Sequence, residues 1–298
     1  MKIGIIGGGA IGLLIAAYLS STCEVTIYTR RKTQADLLNE RGLRMIKNGD
    51  ERIVPIRAWA AGYEKLQADV FFVTVKQYDM VHAIELCNQW TDGGAFVFLQ
   101  NGMGHVSLLS QLKAQCIAVG TVEHGAFKKD DRTVEHTGIG KISIALFQGD
   151  TGPLKQLLDV SSSDFPIEFE HNWQQLLTNK LVVNAVINPL TAMLRVPNGE
   201  LVKTKEYKKM MELLFSEICL ALSLPDENEA RERIVRICER TANNRSSMLC
   251  DLENGRMTEI EAILGYVIAK GKEKGVQTPI CQFLMNAVKG MEGRGFNG

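Results

Sequence analysis

The first residues whose spacing could do chemistry are glycines near the N-terminus. Residues 7–12 read Gly-Gly-Gly-Ala-Ile-Gly and contain the pattern Gly-x-Gly-x-x-Gly. In this pattern Gly7 makes a tight turn, Gly9 lets the backbone approach a pyrophosphate, and Gly12 allows a helix to pack closely. The free amides and the positive end of that helix would face the phosphates. We therefore predict a dinucleotide site built from Gly7, Gly8, Gly9, Ala10, Ile11 and Gly12.

The end of the next apolar segment indicates which dinucleotide is bound. An NAD-binding fold usually places an acidic residue there to bind the ribose hydroxyls, but this segment ends Tyr-Thr-Arg-Arg, at residues 28–31. A guanidinium group matches a 2′-phosphate and leaves a bare ribose without an acceptor. Arg30 therefore predicts NADPH rather than NADH. The alternative is that Arg30 and Arg31 are a solvated pair on a loop.

A third candidate set lies near the middle of the chain. Lys180, Asn184 and Asn188 are spaced by four and share one face of a predicted helix whose other residues are mostly apolar. Burying these polar groups without partners would be costly, so a ligand-binding face is one interpretation. An exposed polar stripe is the other.

The elements that would position these residues alternate between strand and helix over the first half of the chain. Several strand candidates are almost uniformly apolar, as is typical of a parallel sheet covered on both faces. Strands are predicted at residues 2–6, 24–28, 70–75, 95–99, 117–121 and 141–146. Helices are predicted at residues 10–20, 33–41, 77–90 and 104–113. This alternation predicts an α/β fold with a Rossmann-type doubly wound parallel sheet.

Strand patterns end at about residue 168, and helical patterns follow at residues 172–195, 203–223, 226–243, 258–274 and 279–292. We therefore predict an NADP-binding Rossmann domain at residues 1–168 and an all-helical substrate-binding domain at residues 169–298. Pro189 lies inside the first long helix and is expected to kink or divide it.

Composition excludes several classes of protein. The 34 basic and 34 acidic residues cancel, so the broad charge attraction used by non-specific nucleic-acid or membrane binding is missing. The seven cysteines are odd in number and contain no Cys-x-x-Cys pair, which argues against a disulfide framework and a zinc site. We expect a soluble cytoplasmic protein without a metal, and we interpret the apolar start of the chain as the binding turn rather than a signal peptide.

Several short motifs, in order along nearly the whole chain, resemble the 2-dehydropantoate 2-reductase (ketopantoate reductase) family of pantothenate biosynthesis. They are residues 7–12, Thr-Val-Lys at 74–76, Asn-Gly-Met-Gly at 101–104, residues 180–191, Pro-Asn-Gly-Glu-Leu at 197–201, Ser-Ser-Met-Leu-Cys-Asp at 246–251, and Thr-Glu-Ile-Glu at 258–261. The resemblance implies an oxidoreductase that transfers hydride from NADPH to a 2-keto acid.

The resemblance also implies roles for single residues. Lys180 would bind the substrate and donate the proton. The other implied substrate ligands are Asn184, Asn188, Asn198 and Ser247. The implied cofactor-side residues are Lys76, Asn101 and Glu259. Ala126 would lie near the nicotinamide, and Arg30 would bind the 2′-phosphate. Asn101 is also a candidate substrate ligand, and Glu259 a candidate catalytic residue that orients the substrate hydroxyl or Lys180.

Alternatives remain at this stage. The substrate could be another small branched 2-keto acid, and a non-catalytic NADPH-binding redox sensor is a rival to any enzyme. Lys76 could be a solvated lysine, Asn101 a turn residue before Gly102, and His124 a packing residue rather than a catalyst. The role of residues 122–125 is not assigned. The sequence does not fix the oligomeric state, and a homodimer stays open.

Overall fold

The computed structural model describes residues 1–60, 67–90 and 94–292. Contacts within the chain divide it into two compact units. Unit 1 comprises Met1–Gln100 and His105–Leu177, and unit 2 comprises Asn101–Gly104 and Thr178–Gly298. The sequence-based boundary between residues 168 and 169 stays a prediction.

Unit 1 contains an eight-stranded sheet. Its strands are β1 (Lys2–Ile6), β2 (Glu24–Thr29), β5 (Arg57–Ala60), β6 (Val70–Val73), β7 (Ala95–Phe98), β8 (Cys116–Val122), β11 (Ile142–Gly149) and β12 (Ile167–Glu170). The order across the sheet is β12-β11-β8-β7-β6-β1-β2-β5. Strand β1 lies between β2 and β6 and is parallel to both. The strand order reverses at β1, and the crevice at such a reversal is where doubly wound folds bind their ligands.

A second, four-stranded sheet in unit 1 has the order β4-β3-β10-β9. Its strands are β3 (Leu43–Lys47), β4 (Asp50–Val54), β9 (Gly125–Lys128) and β10 (Thr133–Gly138). Strand β10 runs parallel to β3 and antiparallel to β9. Both β9 and β10 pack on the helix that follows β1, so this sheet lies close to the glycine cluster.

The helices of unit 1 are α1 (Ala10–Leu19), α2 (Lys32–Arg41), α3 (Met80–Trp90), α4 (Val106–Leu109) and α5 (Gly152–Lys155), with a 3₁₀ turn at Gln77–Asp79. Helix α6 (Trp173–Leu194) begins in unit 1 and continues in unit 2. The core of unit 1 joins α1 to the central strands, and its Leu13, Ile5 and Phe72 have no exposed surface.

Unit 2 is helical in the part of the chain that the structure describes. Its further helices are α7 (Glu200–Lys203), α8 (Lys205–Leu222), α9 (Glu227–Arg240), α10 (Ser247–Glu253), α11 (Tyr266–Glu273) and α12 (Pro279–Met291), and a π-helical segment at Glu261–Gly265 precedes α11. Side-chain caps begin two of these helices: Asp226 accepts the Glu229 amide, and Ser246 accepts the Leu249 amide.

The predicted fold class is confirmed, and the differences are local. Strand β11 is antiparallel to β8, so the large sheet is not wholly parallel. The helix predicted at 104–113 is only the short α4. Helix α6 continues through Pro189, so the predicted division does not occur. Packing of the buried residues on both sides of Pro189 outweighs the one backbone hydrogen bond that the proline removes.

No helix among the described residues has both the length and the apolar character needed to cross a membrane. Within the same residues, no group of three or more His, Cys, Asp or Glu side chains is placed to hold a metal ion. All seven cysteines are free thiols, and five of them are buried.

Candidate active site

The glycine cluster forms the turn between β1 and α1. Gly7 has a φ of +119°, which L side chains rarely adopt, and its amide donates to the Tyr28 carbonyl at 2.9 Å. A Cβ on Gly12 would lie 2.0 Å from the Gly7 carbonyl oxygen. A Cβ on Gly9 would meet nothing within 4 Å. Gly7 and Gly12 therefore shape the turn, whereas Gly9 leaves open space beside it.

The amino end of α1 is suited to an anion. Gly9 is its N-cap residue and provides no side-chain cap, and the first turn contains no acidic residue. The first amides of a helix lack intrahelical partners and carry partial positive charge. The turn and the helix end therefore fit the pyrophosphate of a dinucleotide, with room beside Gly9 for a phosphate group.

Two alanine substitutions separate the shape of the turn from its ligand contact. We expect Gly12→Ala to lower the free energy of unfolding by about 1–3 kcal/mol, because the new Cβ overlaps a backbone carbonyl. We expect Gly9→Ala to cost no more than about 1 kcal/mol in stability, since only the N-cap preference changes, yet to weaken dinucleotide binding. Thermal unfolding and fluorescence titration with NADPH measure the two effects. Equal stability losses in the two variants would contradict this assignment.

The end of β2 is strongly basic and mostly exposed. The Arg30 side chain is 77% exposed and lies 3.6 Å from Asp79, measured between Nη1 and Oδ1. Arg31 is the N-cap residue of α2 and binds Asp131 at 2.5 Å. The first turn of α2 contains no acidic residue and has no side-chain cap. This junction offers two arginine side chains and the positive end of a helix where a dinucleotide fold places the ribose.

Two other predicted cofactor-side residues also lie in unit 1. Lys76 follows β6, the strand next to β1, and precedes the 3₁₀ turn that carries Asp79. Ala126 lies in β9, opposite His136 of β10, and is partly buried. Lys76 thus lies at the same edge of the sheet as the glycine turn, because the carboxyl ends of parallel strands meet there.

Helix α6 carries the second group of predicted residues. Asn184 and Lys180 are half-buried, and Asn188 is buried with 7% exposure. Their spacing of four places them on one face, as predicted. This face is not an exposed polar stripe along its length, because burial increases from Lys180 to Asn188.

Asn101 joins this face to Glu259 within unit 2. The Asn101 amide donates to a Glu259 carboxylate oxygen at 2.8 Å, and the Asn184 amide donates to the Asn101 carbonyl oxygen at 3.5 Å. Gly102 makes the approach feasible: its φ is +77°, and a Cβ there would lie 2.1 Å from the Ala262 carbonyl oxygen. Asn101 is therefore both a turn residue and a member of a polar network.

Glu259 is buried at the beginning of the helical segment before α11. Thr258 starts that segment by accepting the Ile260 amide at 3.2 Å, and its own hydroxyl donates to Glu292 at 2.6 Å. The π-helical turn follows at Glu261–Gly265. Such turns are rare and often occur at functional sites. A carboxylate with 8% exposure is thus held in place by Asn101 and by an unusual helix start.

We expect Glu259→Gln to fold normally and to lower turnover by roughly tenfold. The amide oxygen of glutamine still accepts from Asn101, but the bonds made by the charged carboxylate weaken by about 1–1.5 kcal/mol. Glu261→Gln is the matched control, because Glu261 lies two residues after Glu259, is exposed and pairs with Lys289. Steady-state kinetics and melting temperature give the result. Normal kinetics with a lower melting temperature would mean that the carboxylate only stabilises the helix end, which is worth at most about 1 kcal/mol.

Asn198 has a buried acceptor without a partner. Its Nδ2 donates to the Thr241 hydroxyl oxygen at 2.9 Å, while that hydroxyl donates to the Ile237 carbonyl at 2.6 Å. These bonds fix which end of the amide is the donor. The Asn198 Oδ1 atom is left buried with no hydrogen-bond partner among the described residues. An unpaired acceptor of this kind is costly unless a ligand satisfies it.

Ser247 lies in the first turn of α10 and is exposed. The neighbouring Ser246, not Ser247, caps the helix, and its hydroxyl forms a hydrogen bond with the Thr191 hydroxyl at 2.7 Å. Ser246 therefore fixes α10 to α6 at Thr191, which leaves Ser247 on the surface of unit 2.

Within residues 122–125, His124 has an interior role. His124 is buried, stacks on Phe165 with ring centroids 4.6 Å apart, and accepts the Gly140 amide at 3.1 Å. Burial, together with the nearby His136, lowers the pKa of His124 to about 4. A neutral, stacked imidazole supports packing as its role.

Sequence reasoning missed the side chains that hold the glycine turn. Gln34 and Lys128 both donate to the Gly8 carbonyl, at 2.8 Å and 3.0 Å, and the Thr74 hydroxyl donates to the Gly7 carbonyl at 3.1 Å. The sequence shows the basic pair Lys128–Lys129, but Gly8, which Lys128 contacts, lies 120 residues earlier in the chain. Only the packing of the small sheet on α1 brings them together.

Comparison with known proteins gives a consistent result over the whole chain. The family model for ketopantoate reductase PanE/ApbA matches residues 3–149, and the model for the C-terminal part of the same proteins matches residues 172–292. A 2-dehydropantoate 2-reductase of Bacillus subtilis is 43% identical over 297 residues, which cover 98% of both chains.

Solved structures agree with these matches. The crystal structure of a probable 2-dehydropantoate 2-reductase from Bacillus subtilis superposes with a TM-score of 0.91 at 42% identity, covering 98% of this chain and 100% of that one. A D-mandelate dehydrogenase solved with NADH and anilino(oxo)acetate gives a TM-score of 0.88 at 26% identity, covering 98% of both chains.

Proposed function

The chain belongs to the ketopantoate reductase PanE/ApbA family, and from that membership we propose that it reduces 2-dehydropantoate (ketopantoate) to pantoate with NADPH, a step of pantothenate biosynthesis. It is an oxidoreductase that uses a nicotinamide dinucleotide. The observation that carries the proposal is the network in unit 2, in which Asn184 and Asn101 lead from the Lys180 face of α6 to Glu259.

Unit 1 is proposed to hold the cofactor. The glycine turn and the amino end of α1 would bind the pyrophosphate, Arg30 would bind the 2′-phosphate, and Lys76 and Ala126 would lie on the nicotinamide side. When bound, NADPH supplies the hydride. The basic end of β2, with no acidic residue in the first turn of α2, supports NADPH over NADH.

Lys180 is proposed to act on the substrate carbonyl. Negative charge grows on the C2 oxygen as that carbon is reduced, and an ammonium group stabilises the charge and then donates its proton. Asn184, half-buried one turn along the same face, would hold the substrate close to the ammonium group. Glu259, which Asn101 keeps in place, would orient the substrate hydroxyl or Lys180.

Asn188, Asn198 and Ser247 are proposed to complete the substrate site. We assign Asn198, which is buried with 8% exposure, to the hydroxyl group at C4 of ketopantoate. A site that pairs a buried acceptor with a substrate hydroxyl discriminates strongly against analogues that lack the hydroxyl.

A second candidate function is reduction of a different 2-keto acid. The likeness to D-mandelate dehydrogenase supports it, because that protein was solved with NADH and an oxoacetate derivative. The two candidates share the hydride acceptor and differ in the group attached to C2. A non-catalytic NADPH sensor has less support, since it would not need the Lys180 face.

A comparison of kcat/KM for ketopantoate, 2-ketoisovalerate and benzoylformate tests the substrate. 2-Ketoisovalerate lacks the hydroxymethyl group, so we expect ketopantoate to be preferred by at least about 10²-fold. Equal or higher kcat/KM for either of the other two acids would favour the second candidate.

We also propose that the enzyme works in the cytoplasm, which the seven free cysteines support. The homodimer remains a prediction.

A further inference from the structure

A lysine from the small sheet lies at the glycine turn. Lys128 ends β9, its side chain is 26% exposed, and its Nζ donates to the Gly8 carbonyl at 3.0 Å. The same Nζ lies 3.1 Å from Asp131 Oδ1. An ammonium group has three N–H donors, so these two contacts leave one to be directed elsewhere.

Asp131 connects Lys128 to the basic end of β2. Its Oδ1 also binds Arg31 at 2.5 Å, so one carboxylate is shared by two cations. Burial alone would raise the pKa of Asp131, but hydrogen bonds from Lys128 and Arg31 lower it below the ordinary value. The carboxylate is therefore ionised at neutral pH, and the group of three side chains carries a net charge of about +1.

The buried side chain of Gln34 connects Gly8 with Asp131. It is buried, with 4% exposure, and its Nε2 donates both to the Gly8 carbonyl and to the Asp131 carbonyl, each at 2.8 Å. The turn that follows β9 is thereby held against the glycine turn. These contacts therefore hold the Lys128 side chain at the glycine turn.

The surroundings of Lys128 suit a phosphate group. Arg31 precedes α2, whose first turn offers amides without a side-chain cap and no acidic residue. A dinucleotide fold recognises the adenosine ribose at the end of its second strand. Lys128 reaches that region from a different sheet, through the counter-ion it shares with Arg31.

We propose that Lys128 is a specificity-determining residue of this reductase, a cation that binds the 2′-phosphate of NADPH together with the arginines after β2. Asp131 holds the ammonium group at the glycine turn until the phosphate provides a second anion. The proposal rests on the proposed function only in taking NADPH as the cofactor.

The test compares Lys128→Met with Lys129→Met. Lys129 is the next residue, is 45% exposed, and pairs with Glu135 at 3.0 Å, so its substitution makes the same change in net charge without touching the glycine turn. Dissociation constants for NADPH and for NADH are measured by fluorescence titration of the purified enzyme. Thermal unfolding of each variant checks the fold.

We expect Lys128→Met to weaken NADPH binding by roughly 10–100-fold and NADH binding by less than about threefold, as for the loss of one charge-assisted phosphate contact. Lys129→Met should change both constants by less than about twofold.

Equal losses for NADPH and NADH in Lys128→Met would overturn the proposal, because they would show that Lys128 only supports the glycine turn. No loss for either cofactor would overturn it as well. Failure of the wild-type enzyme to bind NADPH would instead refute the proposed function, so the two failures are distinguishable.

Discussion

Replacing Lys180 with alanine is expected to lower turnover by roughly 10²–10⁴-fold and to leave the affinity for NADPH within about twofold of wild type. General acid catalysis by a positioned side chain contributes a factor of this size. The cofactor affinity is expected to persist because the proposed phosphate contacts of NADPH come from unit 1, whereas Lys180 lies on α6 in unit 2 and is assigned to the substrate.

Lys209→Ala is a suitable control for Lys180→Ala. Lys209 is an exposed lysine on α8, so its removal makes the same change in charge on unit 2. Substitutions of this kind usually change stability by less than about 0.5 kcal/mol. A small primary amine added to Lys180→Ala should restore part of the rate. A single-turnover rate within about threefold of wild type would exclude Lys180 as the proton donor.

The second large effect is expected at Arg30. Arg30→Ala should weaken NADPH binding by about 1.5–3 kcal/mol, or roughly one to two decades in affinity, and weaken NADH binding far less. The reason is that the guanidinium group would lose a charge-assisted contact to the 2′-phosphate. The substitution should hardly change the free energy of unfolding, because the exposed ion pair between Arg30 and Asp79, at 3.6 Å, contributes little.

Arg57→Ala is the control for Arg30→Ala. Arg57 is similarly exposed, at 72%, and pairs with Glu24 at the opposite end of β2. Titration of the wild type and of each variant with NADPH and NADH gives the dissociation constants that are compared. Equal losses for both cofactors in Arg30→Ala would show that Arg30 does not read the phosphate.

The glycine spacing was enough to predict the turn in unit 1, because the turn needs residues without a Cβ at positions close together in the sequence. A Cβ on Gly12 would meet the Gly7 carbonyl five residues away, and such a constraint is visible in the sequence. The small sheet was not predicted, since its four strands are short and the pairing of β3 with β10, which joins its two antiparallel pairs, spans about 90 residues. The contacts of Lys128 and Gln34 with Gly8 depend on that pairing.

The helical face of unit 2 was predicted by a spacing of four, but its network was not. Asn101 and Glu259 are 158 residues apart, and only the close approach of Gly102 to Ala262 brings their side chains into contact. The family resemblance implied a role for both residues, but it did not predict the hydrogen bond between them. The lack of a partner for the buried Asn198 Oδ1 could not be predicted from sequence either, because the Thr241 hydroxyl donates its one hydrogen to the Ile237 carbonyl instead.

The central claim is that this chain catalyses reduction and does not merely bind NADPH. The most direct test mixes the enzyme, saturated with one equivalent of NADPH, with excess ketopantoate, and measures both the loss of absorbance of NADPH and the pantoate formed in that single turnover. We predict one pantoate for each NADPH oxidised. Tight binding of NADPH with no oxidation and no pantoate would contradict the account.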